Sequence, residues 1–517
     1  MNAQRVYLST TIPYVNARPH LGFALELVQA DVLARHHRLT GDQVRFQTGT
    51  DDNSLKNVLA AEAEGICTAE LVDRNATAFA ALREPLALSF DDFIRTGSDP
   101  RHLPGVERLW HACAASGDLY LKHYEGRYCV GCEQFYKPAE LPGGLCPEHG
   151  TEPQRVAEEN WFFRLSRYAD QLYDLTSSGR LRIEPAARRN EVLGFIAGGL
   201  EDFSASRSTA RARGWGIPVP DDPGQVIYVW WDALGNYVTA LGYGTHGADY
   251  RRWWTEADRR VHLVGKGVLR FHAVYWPAIL LSAGEPLPTD ILVHDYLTIG
   301  GNKISKSGVV AAAGGTADPV VLVDRYGTDA VRWWLLREVP RVGDADFTAA
   351  RLVARANADL ANDLGNLVSR VVTLVHRYRQ GRVPQAGSPA EQPPKPEHDR
   401  HGHRLAAVGQ QAPERIAAAL AAFDFRAATA AIWDVVEEAN RYVELTEPWR
   451  LARAERDGDA GAGRLLDASL ALLVVTCAAV GRDLAPFVPD LAARVQAACD
   501  GSTGRLPSAQ PVFPRIT

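Results

Sequence analysis

Residues 4–11 alternate and are rich in β-branched side chains, which predicts a strand. From Leu21 to about His37 the apolar positions Leu25, Val28, Val32 and Leu33 recur at helical spacing. DQVRFQTGTDD reads as a second strand ending in a turn. Residues 55–115 read mostly as helix, LKNVLAAEAEG and ELVDRNATAFAALREPL being the clearest parts. Strand–helix alternation of this kind predicts a doubly wound α/β domain.

The alternation stops over residues 116–225, where cysteines, aromatics and turn residues crowd together, so an inserted domain is expected there. It resumes with QVIYVWWDALGNY, RRVHLVGK and TDILVHDYL, and 226–290 is expected to complete the sheet begun in 1–115. Residues 291–345 carry a glycine-hinged basic loop. The stretch 346–517 has helical periodicity nearly throughout, interrupted by the Pro- and Gly-rich connection QGRVPQAGSPAEQPPKPEHDRHG, and predicts a helical bundle.

At 517 residues the chain is too long for one core. A net charge of −6 argues against a generally basic nucleic-acid coat, but not against a local basic groove. The N-terminus lacks a charged-then-apolar leader pattern, and the longest apolar run, LALLVVTCAAVG, is too short to span a bilayer. A cytoplasmic protein with no membrane partner is expected. The only methionine is Met1. Codon drift explains that, and so does selection for synthesis when methionine is scarce.

Three clusters carry chemistry. A βα turn holds PHLG, where His20 can donate to a phosphate at the positive end of a helix; taken singly, such a His is more often structural. NKISKSG follows the Gly300–Gly301 pair, so Lys303 and Lys306 can close over a polyphosphate; alone it reads as a solvated basic turn. Cys129, Cys132, Cys146 and His149 have the C-x2-C…C-x2-H spacing of a tetrahedral zinc knuckle, structural because protein fills all four positions.

PHLG and KISKS, in that order across a split α/β fold, resemble the signature motifs of class I aminoacyl-tRNA synthetases. PYVNARPHLG, RFQTGTDD, YCVGCEQFY, CPEHG, ENWFFRLS, RRNEVLGFI, YVWWDALGNY, RFHAVYWPA, KISKS, DAVRWWLLRE, LANDLGNLVSR and EPW extend the resemblance, to the methionyl-tRNA synthetases, over essentially the full length. It implies an α/β fold with a split Rossmann-type parallel sheet, an inserted zinc-bearing connective domain, a KISKS and stem-contact region, and a C-terminal α-helical anticodon-binding bundle. It implies ligation of methionine to tRNA(Met) through methionyl-adenylate, with structural Zn2+, and ATP with Mg2+. The ATP positions are His20, Gly22, Glu26, Lys303, Ser305, Lys306 and Ser307, of which His20, Lys303 and Lys306 are the catalytic ones. Ile12, Tyr14, Asp51, Trp230, Ala233, Leu234, Tyr237, Phe271, His272 and Trp276 match the amino-acid pocket, Asp51 facing the ammonium group and the aromatics a thioether. Asn366, Arg370, Pro448 and Trp449 match the reading of a CAU anticodon, Arg207 has a supporting role, and a monomer is expected.

The pattern is broken at Phe23, where the family has a second His, at Asn53 and Ser54, at Gly267, at Asp295 and at Val309–Val310. These breaks motivate an alternative: a specialised paralogue that resists a methionine-mimicking inhibitor or activates a related amino acid. A non-catalytic tRNA-binding protein is a further reading, disfavoured by the retained KISKS and Asp51. Phe23 and Gly267 are expected to face each other as a linked change.

Overall fold

A computed structural model describes residues 3–304, 317–384 and 396–517 apart from His149, with backbone only for 396–399. The chain divides into two units. One comprises Met1–Glu84, Leu88–Tyr296 and Ile304–Ala312; the other comprises Pro85–Ala87, Leu297–Lys303 and Ala313–Thr517.

In the first unit, β1 (Arg5–Thr10), β2 (Gln43–Thr50) and β3 (Asp92–Arg95) precede the inserted strands. The insertion holds β4 (Leu119–Cys129), β5 (Gln134–Tyr136), β6 (Gln154–Phe163), β7 (Arg182–Glu184), β8 (Phe203–Ser204), β9 (Ser206–Ser208), β10 (Pro218–Val219) and β11 (Asp222–Ile227). Then follow β12 (Arg259–Gly265) and β13 (Asp290–His294). The central sheet is six-stranded and parallel, in the order β3-β2-β1-β12-β13-β7. Its strands are β-branched and buried on both faces, as a helix-covered parallel sheet requires. The helix Leu21–Leu39 closes the first βα unit and is buried from Leu21 to Ala34 apart from Gly22.

Three features depart from the expectation. DFIR, read inside a helical stretch, is β3; four residues are too few for their pattern to outweigh the helices around them. β7, from within 116–225, joins the parallel sheet beside β13. QVI does not resume that sheet: β11 pairs antiparallel with β9 and β10, because a strand's own pattern does not name its partner. The remaining insertion is the antiparallel sheet β5-β4-β6-β8, with the cysteine cluster at the end of β4.

The second unit begins with the hairpin β14 (Leu297–Ile299) and β15 (Asn302–Lys303), turned by Gly300 and Gly301 at φ 58° and 77°. Glycine takes such angles in succession at no steric cost. β14 also pairs with β16 (Ala345–Asp346), and Asp346 Oδ1 accepts from Thr298 Oγ1 (2.8 Å) and Gly301 N (3.0 Å). Arg332, fully buried, donates to the carbonyls of Leu86, Pro486 and Phe487. In the bundle, helices Asn366–Arg379, Pro396–Ala421, Phe425–Thr446, Pro448–Arg456 and Pro489–Ala498 all pack on Ala460–Leu484. That helix contains the apolar run. Its 25 residues are long and apolar enough by length and composition to cross a membrane, yet here Leu466, Leu470, Leu473, Cys477 and Val480 are buried in the bundle.

Asp346→Ala removes both ties to the β14–β15 turn. Each hydrogen bond to a charged acceptor contributes about 1.5–3 kcal/mol. The Gly301 amide is therefore expected to exchange with solvent at least tenfold faster, as read by hydrogen–deuterium exchange.

Candidate functional site

The carboxyl ends of the parallel strands form the crevice where α/β folds bind ligands. His20 is the N-cap of Leu21–Leu39, and its Nδ1 accepts from Gly22 N (3.1 Å). In the neutral ring that bond leaves the proton on Nε2, which can then donate outward. A Cβ at position 22 would meet the His20 ring at 3.0 Å, so glycine there lets the cap close. One turn on, buried Glu26 accepts from Thr11 N (2.7 Å), Thr11 Oγ1 (2.6 Å) and His294 Nε2 (2.9 Å). Burial opposes a charge on His294, but Glu26 outweighs it and raises the imidazole pKa.

Asp51 follows the last residue of β2, bridged to Tyr14 and hydrogen-bonded through its amide to Pro13 O (3.0 Å). Its side chain is buried. Oδ1 accepts from Asn53 N (3.1 Å), and Oδ2 has no hydrogen bond among the described residues. Burial, and then the nearby Asp232 and Glu133, hold Asp51 well above the ordinary carboxylate range. A cation placed at Oδ2 would relieve both effects.

Beside it runs a continuous series of rings. Tyr14 meets Trp230 edge-on at 6.2 Å, and Trp230 stacks on Phe271 at 3.9 Å. Tyr237 donates to His272 Nε2 (2.8 Å), while His272 Nδ1 donates to Val268 O (2.9 Å). Trp276 Nε1 donates to His262 Nε2 (3.2 Å), whose Nδ1 bonds Ser9 Oγ (2.6 Å). Burial lowers the pKa of His272 to about 4 and holds that of His262 well below its ordinary value, so both rings stay neutral and their tautomers are set by these bonds. Ala233 and Leu234 are buried on the helix Val229–Thr239, and Ile12 is half-buried. The structure thus joins Tyr14, Asp51, Trp230, Tyr237, Phe271, His272 and Trp276 through successive contacts. Arg207 covers the Tyr228 ring at 4.2 Å, lines a cavity of about 130 Å3 and acts as a countercharge on Glu133.

Glu133 and Asp232 lie within YCVGCEQFY and YVWWDALGNY but are not among the expected site residues, and His102 lies in none of the quoted stretches. Ser54 Oγ donates to Glu133 (2.5 Å), Asn53 Nδ2 donates to Asp232 (2.7 Å), and His102 Nε2 bonds Asp232 (2.5 Å). The unusual Asn53 and Ser54 are therefore hydrogen-bonded into the acidic group around Asp51. Phe23 packs on Phe79 at 5.1 Å, whereas a Cβ at Gly267 would run into Tyr296 Oη. Asp295 forms ion pairs with Arg188 and, at 3.8 Å, with Lys266, so a carboxylate lies close to the position that lost one.

Cys129, Cys132 and Cys146 place their sulfurs within 4.8 Å of one another, and Tyr136 donates to Cys132 Sγ (3.0 Å). Tetrahedral zinc with bonds of about 2.3 Å sets sulfurs about 3.8 Å apart, so these thiols fit that ion. His149, Ser305, Lys306, Ser307 and Val309–Val310 lie outside the described residues. Lys303 belongs to the hairpin of the second unit, where Asn366 and Arg370 open the helix Asn366–Arg379 and Pro448 and Trp449 open Pro448–Arg456. Trp449 is 42% exposed although Pro448 is buried.

The family model described as tRNA synthetases class I (M) matches residues 6–158 and 146–372. A methionine–tRNA ligase of Brucella suis biovar 1 is 40% identical over all of this chain and 98% of its own length. One of Caldanaerobacter subterraneus is 41% identical over 94% of this chain and 72% of its own. The solved Mycobacterium tuberculosis methionyl-tRNA synthetase in complex with methionyl-adenylate superposes with a TM-score of 0.88, at 38% identity, over 99% of this chain and all of that one. Agreement of this extent in both sequence and backbone places the chain in the class I tRNA synthetases, among the methionine–tRNA ligases.

Proposed function

We propose that this ligase binds methionine between Asp51 and the ring series and activates it at the crevice headed by His20. The observation that carries this reading is the buried Asp51 Oδ2, which has no hydrogen bond among the described residues, beside a series of aromatic rings. An α-ammonium group supplies the missing cation, and a thioether suits aromatic walls because it is polarizable and carries no charge to bury. Neutral His272 and His262 add no positive charge that would repel the ammonium.

The carboxylate of methionine attacks the α-phosphorus of ATP, the α–β phosphoanhydride breaks, and methionyl-adenylate and pyrophosphate result. His20 Nε2, Lys303 and Lys306 stabilise charge on the phosphates. Gly22 permits the cap that orients His20, and Glu26 holds Thr11 and His294 in place; Ser305 and Ser307 complete the ATP contacts. Mg2+, when bound with ATP, neutralises phosphate charge. A 2′- or 3′-hydroxyl of the terminal adenosine then attacks the activated carbonyl and AMP leaves. Asn366, Arg370, Pro448 and Trp449 read the CAU anticodon of tRNA(Met), and Cys129, Cys132, Cys146 and His149 hold a structural zinc. The protein acts as a cytoplasmic monomer. The relatives support the ligase reading rather than the paralogue with altered specificity. Pyrophosphate exchange across the natural amino acids tests this: methionine alone should support it, and exchange with another amino acid in its place would overturn the substrate assignment.

Asp51→Asn removes the charge that receives the ammonium, so kcat/KM for methionine is expected to fall about a hundred- to a thousandfold, as for breaking a buried ion pair. An acid whose folded pKa is raised destabilises the fold once it is ionised, and that penalty appears as pH rises from the unfolded Asp value through the raised one. The same variant should therefore melt at a higher temperature than the parent at neutral pH without substrate. In the parent, the methionine KM should rise as pH falls through the Asp51 pKa, a limb absent from the variant's profile.

Stripping the metal with a chelator, or Cys132→Ser, should release about one zinc per chain and expose the β4–β5 segment to protease, because a structural site contributes folding energy directly. Trp449→Ala should raise the tRNA KM about ten- to a hundredfold, the scale of one lost base stack, in steady-state aminoacylation.

A further inference from the structure

Within the second unit, an open cleft of about 480 Å3 is lined by Arg337, Glu338, Arg341, Arg355, Asp424 and Arg426. Four guanidinium groups face two carboxylates, in a chain whose overall charge is −6. Both carboxylates are already engaged by the protein. Asp424 caps the helix Phe425–Thr446 by accepting from Ala427 N (2.8 Å). Glu338 accepts from Arg355 Nε (2.6 Å) and Arg351 Nη2 (2.9 Å). Burial opposes its ionisation, but these arginines hold the Glu338 carboxyl below the ordinary range.

Arg355 is therefore held in place by Glu338 and by Asp359 (3.2 Å), which also receives Trp333 Nε1 (2.9 Å). On the facing wall, Arg426 sits in the first turn of its helix, where the backbone dipole adds positive charge, and makes no ion pair among the described residues. Arg341 and Arg426 are exposed. The lining has no aromatic ring for a base to stack on. Such a surface recognises phosphate esters by charge and guanidinium geometry, and carries no means of reading sequence.

We infer that this cleft grips backbone phosphates of the bound tRNA, as a positioning contact independent of the anticodon. This deepens the reading above, since it presupposes that the chain takes tRNA. Free phosphate or the pyrophosphate product presents the same chemistry, and the test separates these sources.

Arg341→Glu and Arg426→Glu, alone and together in the full chain, are compared with Arg426→Lys. tRNA affinity is measured by filter binding between about 50 and 200 mM salt, where phosphate contacts dominate the salt dependence. The double variant should bind tRNA at least tenfold more weakly at the low-salt end. Its log–log salt slope should fall by about 0.7–0.9 for each contact removed, while Arg426→Lys keeps the slope. Thermal melting checks the fold, and Arg341→Gln with Arg426→Gln replaces the pair if charge reversal lowers the melting temperature. Affinity and slope equal to the parent's would overturn the inference. So would inorganic phosphate or pyrophosphate binding that the double variant loses while its tRNA slope is kept. Methionine-dependent pyrophosphate exchange by the parent chain tests the ligase reading separately, so the two can fail independently.

Discussion

The parallel pairing of β1 with β12 is the constraint on which the first unit depends. Val6 pairs with Arg259 and Thr10 with Leu263, so strands from opposite sides of the insertion become neighbours. This brings Thr11, at the end of one half, into the crevice with His294 from the other, and Glu26 hydrogen-bonds to both. Tyr7 Oη, on β1, donates to the carbonyl of Tyr237 (2.9 Å) and bonds Gln47 on β2. The ring series and the strand that ends at Asp51 are thereby tied to one frame. Pairing over so long a separation is costly in chain entropy and is repaid only when the whole sheet assembles.

The site holds its charges in an environment that disfavours them. Asp51, Asp52, Asp232 and Glu133 are all buried, with Arg95 at 3.0 Å from Asp52 and with Lys56 and Arg207 as countercharges on Glu133. The two central histidines are neutral because water is excluded and each ring nitrogen already has a defined partner. A buried carboxylate whose charge is disfavoured recognises an ammonium group through the cost of leaving it unpaired. Stability given up in the free protein is recovered on binding.

The departures from the family pattern have local physical settings. Asn53 and Ser54 each satisfy a buried carboxylate. Tyr296 occupies the space a side chain at 267 would need, and Asp295, on the neighbouring strand end, carries a carboxylate beside Lys266. Phe23 adds an aromatic contact where a polar group would be expected, so His20 is the imidazole that heads the helix.

Much of this was legible in the chain. The helix after PHLG, the strand ending at Asp51, the cysteine spacing and the helical C-terminal part follow from periodicity and from motifs whose residues lie close in sequence. β3 was too short to stand out, and neither the edge position of β7 nor the antiparallel partners of β11 could be read, because strand pairing is chosen by distant segments. For the same reason Glu133, next to a cysteine in the insertion, and Asp232, inside an aromatic-rich helix, showed no sign of joining Asp51. Local sequence determined the longer strands and helices and which side chains could do chemistry. Only the tertiary structure decided which carboxylates share one buried space, because that depends on long-range packing, and packing sets both the desolvation and the repulsion that give Asp51 its character.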